Sequence, residues 1–133
     1  MIGLDTNVLM RHIITNDDEI QSEKVRRFIN KCLIEKSLVN VSLLTIKETE
    51  WVLRHHGKIS KSSIIMLFKV LLETADILIE LEEVLEEALL QFENSNADFS
   101  DCLVIAKYRQ AGCDFMVTFD KKAGKMEGAF LLA

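Results

Sequence analysis

Short apolar runs alternate along this chain with longer amphipathic segments. The runs lack the strict apolar–polar alternation of a sheet with one solvated face, so they predict short strands buried on both sides. They are Ile2–Leu4, Leu38–Val41, Ile77–Ile79, Phe115–Thr118 and Ala129–Leu131. Strands that alternate with helices predict a parallel sheet covered on both faces. We therefore expect an α/β fold, a three-layer α/β/α sandwich with a central, mainly parallel sheet of about five strands.

Helical spacing of apolar residues fills the intervals between these runs. The chain offers local start and stop signals: Ser60 can cap one helix, His55-His56-Gly57 can stop the helix before it, and Gly112 can end the last one. The predicted helices span Asp18–Glu35, about 46–54, a segment beginning after Ser60, about Glu82–Phe92, and Phe99–Ala111. We expect a single domain over residues 1–133.

Composition narrows the class of protein. The chain has 133 residues, 49% hydrophobic and 28% charged, which is typical of a globular domain. It shows no apolar stretch near the roughly 18–20 residues of a membrane span and no signal peptide, so we expect a cytoplasmic protein without membrane contact. The three cysteines are expected to be reduced core thiols, and the three histidines have no metal-binding spacing. A net charge of −5 argues against non-specific nucleic-acid binding unless the acids are concentrated and neutralised by metal.

Several acids follow the predicted strands at the edge where sites form in parallel sheets. Asp5 directly follows the first strand, and Asp120 follows the fourth in the phrase VTFD. Glu48 lies on the helix after the second strand, and Asp98 and Asp101 open the last long helix. Separate segments can therefore deliver carboxylates to one edge of the sheet.

Converging carboxylates with no lysine or arginine between them repel one another, and divalent cations relieve the repulsion. Oxygen ligands without cysteine or histidine favour Mg²⁺ or Mn²⁺ over zinc. Such metals can position a phosphodiester and activate water. The pattern therefore predicts metal-dependent phosphodiester hydrolysis.

Each acid also has a purely structural explanation. Asp98 fits a helix N-cap, which we favour over ligation for this residue, and Asp120 could open a turn. Glu48 and Glu50 could both be solvated; Glu50, about 200° away around the helix, is interpreted as solvated. Thr6-Asn7 could make a turn into a helix. Asp5 is the hardest acid to explain structurally, because a carboxylate directly after a buried strand needs a partner.

Four sequence blocks, in order and over essentially the whole chain, resemble the PIN-domain ribonucleases. They are GLDTNVLMR at the N-terminus, ETEWVL at 48–53, ADFSDCLVIA at 97–106 and VTFD at 117–120. The likeness is closest to VapC-type toxins of type II toxin–antitoxin pairs. The resemblance implies a Mg²⁺- or Mn²⁺-dependent endoribonuclease with an α/β/α fold.

By this resemblance, each motif residue acquires an expected role. Asp5, Glu48, Asp101 and Asp120 match the catalytic and metal-binding acids, and Asp98 matches an additional acid that ligates, orients the site or caps its helix. Three further residues match positions that order the site: Asn7, Thr6 (through the turn) and Thr118.

The resemblance also implies an RNA substrate, an antitoxin partner and a homodimer. Basic residues beside the site segments are expected to contact RNA phosphates; they are Arg11, Arg54 and Lys121, although a solvated basic surface explains each of them equally well. An antitoxin helix could lie in a groove between helices built from 18–35 and 44–72. Trp51 could line that groove, although an indole on an apolar helical face is more often part of the core.

Rival functions fit less well. An aspartyl-phosphate phosphatase needs a second aspartate two residues after Asp5, where Asn7 stands. A receiver module needs an adjacent acidic pair after the first strand, and Asp17-Asp18 comes too late. A housekeeping PIN nuclease that processes RNA and a non-catalytic PIN module that binds proteins remain open alternatives.

Overall fold

The described part of the chain covers residues 1–14 and 19–132 of a computed structural model and contains six α-helices and five strands. A pair of α-helices follows each of the first three strands, and a short 3-10 helix separates the last two strands. The strands are β1 (Ile2–Gly3), β2 (Val39–Val41), β3 (Ile77–Ile79), β4 (Met116–Thr118) and β5 (Ala129–Leu131). The helices are α1 (Thr6–Ile13), α2 (Glu19–Ile34), α3 (Leu43–His55), α4 (Lys61–Glu73), α5 (Glu82–Glu93) and α6 (Phe99–Gln110). The predicted α/β class is confirmed. Asp17-Asp18 lies outside the described residues.

The chain divides into two compact units, Met1–Glu80 and Leu81–Ala133. In the first unit β2 lies between β1 and β3, and both pairings are parallel, with Ile2 opposite Val39 and Val39 opposite Ile77. In the second unit β4 and β5 pair in parallel. The predicted parallel pairing is thus confirmed, in a sheet of three strands and a sheet of two. A single domain over 1–133 stays a prediction.

Each unit has its own apolar core. In the first unit the core gathers strand residues and one face of each of α1, α3 and α4; its fully buried members include Leu9, Val41, Ile46, Leu53, Ile64 and Phe68. In the second unit α5 packs on α6, and the rings of Phe92 and Phe99 meet edge to face with centroids 5.4 Å apart. None of the described helices has both the length and the apolar character needed to cross a bilayer.

The helix ends follow the predicted signals. Ser60 caps α4, since its hydroxyl accepts a hydrogen bond from the Ser63 amide at 3.3 Å. Gly112 follows α6 with a φ of 91°, the left-handed conformation that glycine adopts without strain. Ser42 caps α3 in the same manner as Ser60.

One cysteine differs from expectation. Cys32 and Cys102 are buried free thiols, as predicted, but Cys113 is exposed. It lies just beyond the end of α6, in the turn before β4, and not on a packed face. The prediction of a third core thiol is therefore wrong.

Candidate functional site

Asp5 and Glu48 are linked through a single residue, Thr6. Asp5 is the N-cap of α1, and its Oδ1 accepts a hydrogen bond from the Thr6 amide at 2.8 Å. The Thr6 hydroxyl donates to Oε2 of Glu48, on α3, at 2.9 Å. Thr6 is buried, whereas both carboxylates are exposed. The threonine therefore holds two acids from separate segments at the same end of α1.

The exposure of Asp5 corrects one premise of the sequence argument. Asp5 directly follows the buried Leu4, and the sequence predicts that its carboxylate is also buried and needs a partner. Its side chain instead points to solvent and caps α1. This is the structural alternative given for Thr6-Asn7, a turn into a helix. The favourable environment of a carboxylate at a helix N-terminus replaces the need for a buried partner. Asn7 is exposed in the first turn of α1.

Glu50 is buried, so its interpretation as a solvated acid is wrong. Only 2% of its surface is exposed, and its Oε2 lies 2.8 Å from Nε of Arg54, one turn along α3. A second contact of 3.3 Å joins Nη2 to Oε1, which makes the pair bidentate. The Arg54 guanidinium thus compensates the buried Glu50 carboxylate and has a structural role. The expectation that Arg54 contacts RNA phosphates stays untested, but this arginine already has an acidic partner.

Trp51 is not a core residue. Its surface is 47% exposed, its ring stacks on His55 with centroids 4.4 Å apart, and His56 meets it edge to face at 5.4 Å. The interpretation of Trp51 as a core residue, which is the commoner role of a tryptophan on an apolar helical face, is therefore wrong. Trp51, His55 and His56 form an exposed aromatic cluster at the C-terminal end of α3.

In the second unit, Asp98 and Asp120 are linked through Lys122. The Lys122 ammonium lies 3.0 Å from Oδ1 of Asp98, and its backbone amide donates to Oδ1 of Asp120 at 2.8 Å. Asp98 occupies the N-cap position of α6 but makes no capping hydrogen bond with its side chain. The favoured capping role is therefore not what this carboxylate does: it pairs with lysine.

Lys122 also corrects the assumption that no cation lies among these acids. The sequence does contain a signal for it, because a lysine two residues after an aspartate can supply its amide to an Asx turn and leave its side chain free to reach another acid. Both side chains of the ion pair are more than half exposed, so the pair is weak and exchangeable.

Asp120 is held in the turn that was its structural alternative. Besides the Lys122 amide, the Ala123 amide donates to the same Oδ1 at 3.1 Å, so the carboxylate holds the turn that leads into the short 3-10 helix Ala123–Lys125. The Asp120 amide in turn donates to the Thr118 hydroxyl at 3.0 Å, which fits an ordering role for Thr118. Asp101 lies in the first turn of α6 and is partly buried.

The remaining basic residues considered for RNA binding differ in whether they already have a partner within the described part of the chain. Arg11 donates from Nε to the side-chain oxygen of Gln21 at 3.1 Å. Lys121 is exposed and makes no ion pair within the described residues. His12, next to Arg11, is half-buried; burial lowers its pKa, and the nearby Asp76 carboxylate partly opposes that shift. Burial thus disfavours the protonated imidazolium, which is the form that attracts phosphate.

The donor chemistry of the acids suits a hard divalent cation. Asp5, Glu48, Asp98 and Asp120 each have one carboxylate oxygen fixed by a protein hydrogen bond, while the other oxygen has no protein partner within the described residues. Ligands held in this way by neighbouring groups are typical of metal sites. Across residues 1–14 and 19–132, however, no three His, Cys, Asp or Glu side chains are grouped closely enough to hold an ion.

Comparison with known families identifies the chain. The family model described as PIN domain matches residues 2–129, nearly the entire sequence. Comparison with curated proteins finds no match. PIN domains are in general metal-dependent nucleases, so the match supports a nuclease-type fold and, at this coarse level, a hydrolase. With its strands in parallel and a family match that covers both units, this chain belongs to the PIN-domain family.

Proposed function

We propose that this protein is a Mg²⁺- or Mn²⁺-dependent endoribonuclease in which Asp5, Glu48, Asp101 and Asp120 are the catalytic and metal-binding acids. The observation that best supports this proposal is that, within the described part of the chain, three of these carboxylates each use only one oxygen in a hydrogen bond. At Asp5, Glu48 and Asp120 a backbone amide or a hydroxyl fixes one oxygen, and the other oxygen has no partner among residues 1–14 and 19–132. The hydrogen bond from Thr6 to Glu48 also joins acids of two separate segments, which a purely structural cap of α1 does not require.

In this proposal, the residues of the chain itself orient the acids. Thr6 fixes the orientation of Glu48 relative to Asp5, and the two amides after Asp120 fix that carboxylate in the same way. Thr118 sets the turn that carries Asp120. Bound there, Mg²⁺ or Mn²⁺ would supply Lewis-acid activation of water and of the phosphodiester. Asp98 and its exchangeable lysine partner would adjust the local charge.

RNA cleavage with single-residue variants tests this assignment. Asp5→Asn and Asp101→Asn should each lower the cleavage rate of a labelled single-stranded RNA by about 100-fold or more, since even groups that only orient a metal ligand are worth about 10–100-fold. Far-UV circular dichroism and Tm should be unchanged. Asp114→Asn is the matched control, because Asp114 is an exposed aspartate outside the site segments. Full cleavage by Asp5→Asn in magnesium would refute the proposal.

Thr6 offers a second, independent test. Thr6→Val removes the hydroxyl that holds Glu48 but keeps the shape of the side chain, and should cost about 10–100-fold in activity or metal affinity. Thr6→Ser keeps the hydroxyl and should retain most of both. If calorimetry detects no Mg²⁺ or Mn²⁺ binding by the wild type, a non-catalytic PIN module becomes the better description.

We further propose that the nuclease is the toxin of a type II toxin–antitoxin pair, acts in the cytoplasm, and forms a homodimer that a partner antitoxin neutralises. Apolar side chains left exposed on α2 and α4 support a helix-binding surface; they are Ile20, Leu33, Ile34, Met66 and Val70. Met66 and Val70 are one helical turn apart on α4, so their side chains lie next to each other on its surface.

Growth assays test the toxin proposal. Expression of the wild type should arrest growth, and Asp5→Asn should not. Co-expression of a small protein encoded directly upstream should restore growth, and Met66→Glu should abolish that rescue while leaving RNA cleavage intact. Normal growth with an active wild-type enzyme would favour a housekeeping nuclease.

A further inference from the structure

The aromatic cluster of Trp51, His55 and His56 lies on the same side of α3 as the proposed catalytic Glu48. On the 3.6-residue period, Trp51 and His55 fall within about 60° of Glu48 around the helix axis, and His55 lies about 10 Å along it. All of these side chains are exposed, whereas the opposite side of α3 is packed in the core. The cluster is therefore accessible on the face that carries a proposed site residue.

The geometry of the cluster fits a planar aromatic ligand. The Trp51 indole is 47% exposed and is supported by His55, whose ring stacks on it with an interplanar angle of 28°. A ring nitrogen of His55 lies 3.1 Å from the Trp51 carbonyl oxygen, which holds the imidazole in place. His56 adds an edge contact. A half-exposed ring held by its neighbours can bind a flat ring at little cost in conformational entropy.

The charge of the segment that follows Glu50 fits a polyanion. Residues 51–72 contain no aspartate or glutamate but carry four lysines or arginines and two of the three histidines, although the whole chain has a net charge of −5. The buried Glu50 compensates Arg54, so this arginine adds little to the attraction. Lys58, in the turn after α3, is exposed and forms no ion pair within the described residues.

We propose that Trp51, supported by His55 and His56, is a stacking platform for one unpaired base of a single-stranded RNA, whose phosphates are attracted by the acid-free segment 51–72. This inference rests on the proposed ribonuclease function and assigns that activity a base-binding subsite on α3. A single strand is required, because bases inside a duplex have no face free to stack on a side chain. The basic surroundings favour RNA over an apolar protein partner.

Trp51 is the only tryptophan, so its fluorescence reports directly on the platform. In EDTA, which prevents cleavage, a 12-nucleotide single-stranded RNA should quench this fluorescence saturably, and a 12-base-pair duplex at the same concentration should not. Trp51→Ala should weaken binding of a labelled single strand about tenfold, within the range measured for base–aromatic stacking, and Trp51→Phe should restore most of the affinity. Equal quenching by the duplex would overturn the proposal.

Two control variants separate stacking from general surface effects. Leu44→Ala removes an exposed apolar side chain from the same side of α3 and should leave RNA affinity unchanged. Lys58→Gln should lower the salt dependence of log K by about 0.7, whereas Lys24→Gln, on α2, should not. If Trp51→Ala abolishes self-association in sedimentation and leaves RNA affinity unchanged, this face is a protein interface and the proposal is wrong.

Cleavage assays distinguish a failure of the platform from a failure of the proposed activity. Trp51→Ala should raise KM for single-stranded RNA about tenfold with kcat nearly unchanged, because stacking binds substrate and transition state alike. Asp5-dependent cleavage with an unchanged KM in Trp51→Ala would overturn the platform alone. Trp51-dependent binding without cleavage in Mg²⁺ or Mn²⁺ would support the platform and overturn the nuclease.

Discussion

Replacing Arg54 with methionine should destabilise the protein far more than the same change at Arg27. Arg54 pairs with Glu50 within α3, and Arg27 pairs with Glu23 within α2, each with the glutamate four residues earlier. The Nε–carboxylate distances are similar, 2.8 and 3.1 Å. The glutamates differ in side-chain exposure, 2% for Glu50 and 42% for Glu23. The two pairs share a spacing and differ in burial.

The expected magnitudes follow from that difference. Removing one partner of a buried ion pair costs about 3–5 kcal/mol, because a charge is left uncompensated in the core. The Arg54 side chain is 44% exposed, so water can reach part of the space it vacates. We therefore expect Arg54→Met to lower the free energy of unfolding by about 2–3 kcal/mol. Arg27→Met should cost about 0.5 kcal/mol or less, as is usual for exposed pairs on a helix.

Urea unfolding followed by Trp51 fluorescence and far-UV circular dichroism measures both losses, and the fluorescence reports on the unit that contains both pairs. Glu50→Leu combined with Arg54→Met should recover most of the stability, since it removes both charges and leaves an apolar pair. Equal losses for the two single variants would refute the reasoning, as would a double variant no more stable than Arg54→Met.

Two further predictions concern backbone strain and pH. Gly128→Ala should lower the free energy of unfolding, measured in urea, by more than Gly112→Ala does. Both glycines have φ near 90°, so both substitutions strain the backbone. At Gly128 the added Cβ would also lie 2.7 and 2.8 Å from neighbouring side-chain atoms, whereas at Gly112 it would meet none. Equal losses would show that steric contact adds nothing. Burial lowers the pKa of His12 more than Asp76 raises it, so the unfolded chain binds more protons near this pKa. Stability should therefore be fully present above about pH 6.5 and decline as the pH falls below it; His12→Gln should reduce this dependence, as urea unfolding at several pH values can measure.

The strands could be located from the sequence because short apolar runs with no alternation have few other uses. Ile77–Ile79 and Ala129–Leu131 match the structure, and the other three predicted strands are each one residue too long. Two of the extra residues, Leu38 and Phe115, are more than half exposed. Apolar character alone therefore overestimates strand length where an apolar residue at the end of a strand is exposed.

Helix α1 shows why a short element escapes a search for periodicity. It has eight residues, little more than two turns, so its apolar residues Val8, Leu9 and Ile13 repeat only once at helical spacing. The usable signal was the cap: Asp5 before Thr6-Asn7 marks a helix start. The same aspartate was assigned to the site from its position after a strand. Both descriptions fit it, since a capping carboxylate uses one oxygen and retains the other.

Glu48 and Glu50 mark the limit of what helical periodicity can assign. Their separation of about 200° on the 3.6-residue period puts them on opposite sides of one helix, but it does not tell which side faces the core. The general preference of glutamate for solvent then suggests that neither is buried. The deciding residue is the one a turn later: Arg54 follows Glu50 and can neutralise it inside the fold, whereas Val52 follows Glu48 and cannot. Glu48 is therefore the acid left on the exposed side, available to a substrate or an ion, and the paired acid is the one the fold can bury.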